Sequence, residues 1–265
     1  MGTVRRQGLV LHTTEAGQGP HTVVLSHSYL LDSRHFAPQI EALAAAGFAV
    51  VAYDHRDLGQ SGRATEPYDL EALVDDGLAV LDSIQGPVHW VGLSTGGFVG
   101  MRLAARHPER IAKLVLMDTS AEAEVGIKRA RYEALMLGLK LIGLRPLVGQ
   151  GYASLFGRTF RKDRSRAAEH ALWKARIGEN DPAALRRFGK AIFSRPDFVS
   201  ELSTITAPTL VIVGEEDAAT VPAKAQQIAA GIAGARLEIV GKAGHVCTIE
   251  QPDAVNALLL EFLGN

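Results

Sequence analysis

Residues 88–107 read VHWVGLSTGGFVGMRLAARH. The stretch opens as an apolar run of strand type, turns at Gly92-Leu93-Ser94-Thr95-Gly96-Gly97, and continues with apolar residues at helical spacing. The turn fits G-x-S-x-G, and its place between a strand and a helix gives the match its weight in a chain with 27 glycines. A serine on such a sharp turn projects its hydroxyl above the sheet edge. Small residues at Gly92 and Gly96 let the two backbone segments approach each other. The Thr95 amide then lies at a helix N-terminus, where free N–H groups and the helix dipole favour a developing negative charge. Ser94 is therefore the candidate nucleophile, and the Thr95 amide a candidate oxyanion donor.

A serine hydroxyl is a weak nucleophile and needs a base. In this arrangement the acid and the base follow later strands of the same sheet, in the order Ser, acid, His. LVIVGEED, residues 210–217, places Asp217 just beyond a strand, with Glu215 and Glu216 as rivals for the acid. LEIVGKAGH, residues 237–245, places His245 beyond the next strand, and it is the only histidine after position 170.

Further out, strands and helices alternate. Apolar runs at 23–26, 48–53, 114–117, 209–213 and 237–240 read as strands. Those without polar alternation suit a parallel sheet covered on both faces. Helical spacing marks 36–46 after an Asp32 or Ser33 cap, then 70–84, 95–107, 222–232 and 253–263. Short strands at Val4–Gln7 and Val10–Thr14 are expected to pair antiparallel at an edge. From 121 to 195 the alternation stops, and helices are expected at 122–144, 146–160, 164–178 and 182–194. The fold class is thus α/β: a doubly wound, mostly parallel sheet carrying an all-helical insert. Residues 1–120 and 196–265 would form the core and 121–195 a cap. Trp173, Tyr132, Met136 and Phe193 sit at apolar-stripe positions of that cap and read as its core first, with pocket wall as the alternative, since a cap's inner face commonly lines the pocket.

The composition of the 265 residues is that of a folded soluble domain, 47% hydrophobic and 22% charged, which excludes disorder or coiled coil as the main state. The net charge of −1 lacks the basic surplus of nucleic-acid binders. That near-neutrality is a cancellation. Residues 121–195 hold sixteen basic against seven acidic side chains, net +9, and the remainder is −10. One cysteine, Cys247, allows no internal disulfide, and the nine histidines show no H-E-x-x-H pairing, so no metal site is expected. With no signal-type apolar segment and no run long enough to span a bilayer, a cytoplasmic protein without membrane contact is expected.

Six segments carry a family likeness: LSHSY (25–29), YDHRDLGQSG (53–62), VGLSTGGFVG (91–100), ARHPERIAKLVLMDT (105–119), VIVGEED (211–217) and GKAGHVCTIEQPDAVN (241–256). Together they resemble the α/β-hydrolase family, in particular its cap-bearing esterases, enol-lactonases and cofactor-free haloperoxidase-like members. The resemblance implies a nucleophile at Ser94, a triad acid at Asp217 and a base at His245, with the backbone amides of Tyr29 and Thr95 as the oxyanion hole. It implies no cofactor. Two departures stand out. The family's His-Gly before the first donor is His27-Ser28 here, which implies a position that does not need positive φ. Its H-R-G-x-G-x-S is His55-Arg56-Asp57-Leu58-Gly59-Gln60-Ser61, which leaves that loop's conformation open.

The expected activity is hydrolysis of a small carboxylic ester or lactone through an acyl-enzyme, the basic insert favouring an anionic substrate. Alternatives on the same scaffold are C–C bond hydrolysis or lysis, perhydrolysis, and, from a different class, a ligand receptor without catalysis. Oligomeric state is left open.

Overall fold

Eight strands form one sheet in the computed structural model, which describes residues 2–6 and 8–264. They are β1 (Gly2–Arg6), β2 (Leu9–Ala16), β3 (Thr22–Ser26), β4 (Ala49–Tyr53), β5 (Val88–Leu93), β6 (Ile111–Met117), β7 (Thr209–Gly214) and β8 (Arg236–Val240). Their order across the sheet is β1-β2-β4-β3-β5-β6-β7-β8. From β4 to β8 every pairing is parallel, while β1 and β2 join the near edge antiparallel. The expected edge pairing is therefore present; Gln7, placed at the end of its first strand, lies outside the described residues. Every residue of β5 and of β7 is buried, whereas the far edge strand β8 leaves Ile239 half exposed. Continuous apolar sequence thus marks the strands with helices on both faces, and the doubly wound reading holds.

The helices of the core are α1 (Ala37–Ala45), α2 (Leu70–Asp82) and α3 (Thr95–Arg106). Five more lie in the insert: α4 (Gly126–Ile142), α5 (Val148–Leu155), α6 (Arg158–Lys162), α7 (Ala167–Gly178) and α8 (Pro182–Phe193). The chain closes with α9 (Pro222–Gly231), α10 (Cys247–Glu250) and α11 (Pro252–Gly264). Helices α1 and α11 pack together on one face of the sheet, and α2 and α3 on the other. No helix among the described residues is long and apolar enough to cross a membrane.

Between β6 and β7 the described residues contain helices only. Two contacts close the neck of this insert: Phe198 N donates to Ala121 O at 2.8 Å, and Arg195 Nη2 donates to Glu122 O at 2.7 Å and Glu124 Oε1 at 3.0 Å. The single helix expected over 146–160 is two, α5 and α6, broken at Phe156-Gly157. Core loops take the hydrogen bonds that would have continued it. Leu155 O accepts from His245 N at 2.9 Å, Gly157 N donates to Glu250 Oε2 at 2.9 Å, and Thr159 N donates to Glu216 Oε2 at 2.7 Å. Periodicity within one segment carries no information about those distant acceptors.

Asp57 resolves the question its sequence raised. It holds φ 68°, the left-handed conformation a glycine would adopt without cost. Its buried carboxylate accepts from Ala64 N at 3.0 Å and Tyr68 Oη at 2.9 Å, and from both Arg187 Nε at 3.1 Å and Arg187 Nη2 at 2.7 Å. Arg187 lies on α8, so the departure from glycine straps the core to the insert. Arg187→Ala strands a buried charge and is expected to cost on the order of 3 kcal/mol. Asp57→Gly removes charge and backbone strain together and should cost clearly less. Urea unfolding of both variants checks the ranking, and an Asp57→Gly variant as unstable as Arg187→Ala would contradict it.

Candidate active site

Ser94 occupies the junction of β5 and α3 at φ 52°, ψ −105°. Steric crowding imposes that conformation. A Cβ on Gly92 would fall on the Gly96 carbonyl, and one on Gly96 would fall on the Ser26 carbonyl of β3. A non-glycine residue in such a region costs roughly 1–3 kcal/mol and persists only where its surroundings over-determine it. They do so here. Ser94 N donates to Met117 O at 2.8 Å, and Ser94 O accepts from Gly97 N at 2.9 Å and Thr119 Oγ1 at 2.7 Å. Buried Trp90 donates Nε1–H to Gly96 O at 3.0 Å, pinning the start of α3.

The ends of β7 and β8 bring the other two candidates to this point. His245 Nε2 is 2.9 Å from Ser94 Oγ, and His245 Nδ1 is 2.9 Å from Asp217 Oδ2. The tautomer follows from the network. Thr220 Oγ1 gives its one proton to Asp217 Oδ2 at 2.7 Å, yet also lies 3.1 Å from His245 Nδ1. Both neighbours of Nδ1 are then acceptors, so Nδ1 carries the proton and Nε2 is left to accept from the Ser94 hydroxyl. Of the three acids after β7, Asp217 alone faces His245. Glu216 accepts from Thr159, and Glu215 accepts from Lys242 N at 3.1 Å.

Charge is distributed unevenly around the imidazole. Burial opposes ionisation of Asp217, but His245 and the donors of Thr220 outweigh it and hold the carboxyl below its ordinary value. Asp118, at the end of β6, is pushed up by burial and by the nearby Asp217 charge, although Gly214 N and Cys247 N donate to it at 2.8 and 3.2 Å. For His245, burial works against protonation; the Asp217 charge and hydrogen bond, helped by Asp118, reverse this and raise its pKa above the ordinary value. The Cys247 thiol is buried and pushed up by burial and by Asp118, so it stays protonated.

The loop after β3 carries Tyr29. His27 Nε2 accepts from His55 N at 2.9 Å, which leaves His27 Nδ1–H to donate to Ser28 O at 2.8 Å. Burial lowers the His27 pKa, so this neutral imidazole organises the loop. Ser28 does not take positive φ; Leu30 does, at 70°. Tyr29 Oη donates to Leu185 O of α8 at 3.1 Å, and its ring stacks on Phe188. Among the described residues the Tyr29 and Thr95 amides have no protein acceptor.

A cavity of about 280 Å³ opens over Ser94 and His245. The core lines it with Tyr29 and Thr220, and the insert with Tyr132, Ile192 and Phe193. A larger open groove of about 530 Å³ lies beyond, between α4 and α8, and reaches none of Ser94, Asp217 or His245. Tyr132 and Phe193, stacked 3.7 Å apart, form the partition between the two spaces. Of the two readings open for them, core and wall, the first is corrected and the second holds: they are wall. Trp173 and Met136 are buried as expected, although Met136 also borders the outer groove. Sequence reasoning missed Thr220, Asp118 and Glu250. The Asp217-Ala-Ala-Thr220 spacing suits a side-chain-capped turn and could have flagged Thr220; Asp118 and Glu250 gave no local signal.

Three comparisons bear on this geometry. The model of the alpha/beta hydrolase fold family matches residues 21–252. A putative carbamate hydrolase RutD of Caulobacter sp. (strain K31) is 30% identical over 244 residues, covering 91% of this chain and 90% of that one. A 3-oxoadipate enol-lactonase 2 of Acinetobacter baylyi is 27% identical over 257 residues, 96% of this chain and 93% of its own. Among solved structures, the enol-lactonase from Burkholderia xenovorans LB400 superposes with a TM-score of 0.92 at 29% identity over the full length of both chains.

Two measurements check the electrostatics. NMR titration of the His245 ring should give a pKa above the ordinary value of about 6.5, and Asp217→Asn should bring it down; a wild-type value below 6.5 would contradict the network. Glu250 bridges Gly244 N and Gly157 N at 2.9 Å each, and burial raises its pKa to about 7. The folded state then holds a proton that the unfolded chain, with its pKa of about 4.3, has already lost, so wild-type stability falls between those values as pH rises. Glu250→Gln lacks this loss. Its stability deficit should narrow from pH 5 to pH 8 in thermal unfolding, and a deficit that widens would count against the assignment.

Proposed function

The chain belongs to the α/β-hydrolase family, and from that membership we propose that it is a serine hydrolase of small carboxylic esters or lactones. The observation that carries this reading is the continuous line from Ser94 Oγ through His245 to Asp217, each link 2.9 Å, beneath a cavity of about 280 Å³. Ser94 attacks the substrate carbonyl while His245 Nε2 takes its proton. Asp217 keeps the imidazole in the Nδ1–H tautomer and stabilises the imidazolium. The amides of Tyr29 and Thr95 receive the tetrahedral oxyanion; loss of one such donor costs about 2.7–4 kcal/mol of barrier in comparable sites. The leaving alcohol takes the proton back from His245, and water activated by the same imidazole then releases the acyl group from Ser94. Residues 121–195 act as the cap that closes the cavity.

A second reading is favoured by the carbamate hydrolase name of the Caulobacter relative. A carbamate offers the same kind of heteroatom-bonded carbonyl to Ser94. A panel of p-nitrophenyl esters, lactones and carbamates separates the two by kcat/KM, and β-diketones included in it would expose a C–C hydrolase.

Ser94→Ala should lower turnover by about six orders of magnitude, as loss of a serine nucleophile does elsewhere. A variant that hydrolyses esters at near wild-type rate would overturn the proposal. Because His245 must be neutral to act, kcat/KM should fall as pH drops through its raised pKa, with a midpoint above about 6.5. A profile flat from pH 5 to 8 would remove His245 as the base.

A further inference from the structure

The positive charge of the insert is not equally available to a ligand. Three of its basic side chains line the cavity over Ser94: Lys128, Arg131 and Arg195. Arg195 is buried and held by the protein through both terminal nitrogens, its Nε alone lacking a partner among the described residues. It donates to Ile192 O at 2.9 Å, to Glu122 O and to Glu124, and its guanidinium lies 3.9 Å from the Phe98 ring centre. Lys128 pairs with the same Glu124 at 3.2 Å and donates to Ala219 O at 2.8 Å. One carboxylate therefore answers two cations. Counting Asp217 beneath His245 as a second anion still leaves one positive charge over, and that charge is on Arg131. Its side chain is exposed at the cavity and has no hydrogen bond or ion pair among the described residues. It stands one turn along α4 from Lys128 and directly before Tyr132, whose ring is cavity wall.

We propose that Arg131 is a carboxylate-binding subsite, and that the favoured substrates carry an anionic group at the end distal to the reacting carbonyl. This rests on the reading of Ser94 as nucleophile. A guanidinium stays protonated at every working pH and offers a planar fork that matches a carboxylate with two parallel N–H donors. The cavity that Arg131 and Ser94 share is also lined by Tyr132, Leu135, Ile192 and Phe193, which suits a short apolar spacer. The class is a hemiester of a dicarboxylic acid.

Two arms test this. In the first, the mono-p-nitrophenyl ester of glutarate is compared with neutral p-nitrophenyl pentanoate. Wild type should favour the anion. In Arg131→Gln the ratio of the two kcat/KM values should fall about tenfold, through KM of the anionic ester, and Arg131→Lys should recover part of it. Lys140→Gln, in the outer groove, should leave the ratio as in wild type. In the second, calorimetry measures binding of monomethyl glutarate to Ser94→Ala, and adding Arg131→Gln should weaken it about tenfold. An unchanged ratio together with unchanged binding overturns the subsite. Binding that depends on Arg131 in a protein without esterase activity would retain the subsite and overturn the serine mechanism instead.

Discussion

Crowding where β5 passes into α3 is the constraint that the rest of the site depends on. Neither Gly92 nor Gly96 has room for a Cβ, so the two backbones meet carbonyl to backbone, and Ser94 is driven to φ 52°. Its carbonyl is then fixed by donors from α3 and from Thr119, and its amide by β6. With every backbone group engaged, the side chain is the part left to project from the sheet edge. The loops after β7 and β8 end at the same edge because those strands run parallel to β5. Parallel topology thus delivers Asp217 and His245 to the serine without any local sequence contact among the three.

Two carboxylates lie near the imidazole, and their surroundings separate them. Asp217 accepts from Ala219 N, Thr220 N, Thr220 Oγ1 and His245, which together stabilise its charge. Asp118 is fully buried, accepts two backbone amides, and is repelled by Asp217. The negative charge is therefore held most firmly on the group aligned with His245 Nδ1, while Asp118 also brackets the β7 end and the segment that follows His245. Environment, more than residue type, assigns the two acids.

The insert is tied into this centre rather than laid over it. Leu155 O holds the His245 amide, Glu250 holds Gly157 and Gly244 together, Tyr29 reaches Leu185, and Asp57 grips Arg187. These are the features the sequence did not yield. The parallel sheet, the elbow at Ser94 and the order Ser94, Asp217, His245 were legible because each rests on a local pattern: apolar runs, a glycine-flanked turn, acids and a histidine just past strands. The break between α5 and α6 was not, because it is set by Glu216, Glu250 and His245 some 60–90 residues away. Core and wall were not separable at Tyr132 and Phe193 for a related reason: an apolar stripe is the same whether it faces a neighbouring helix or a cavity. The insert's net charge was countable in advance, but which of the three cavity-lining cations lacks a partner among the described residues depends on the position of Glu124.

The proposed chemistry requires Ser94 Oγ, activated through His245, to be the atom that bonds to substrate. Its most direct test is incubation of the wild-type protein with a fluorophosphonate, followed by peptide mapping by mass spectrometry. One phosphonylated residue, Ser94, is expected, formed at a rate that falls on acidification together with turnover and is abolished in His245→Ala. A protein that hydrolyses esters but takes the label elsewhere, or not at all, would contradict it.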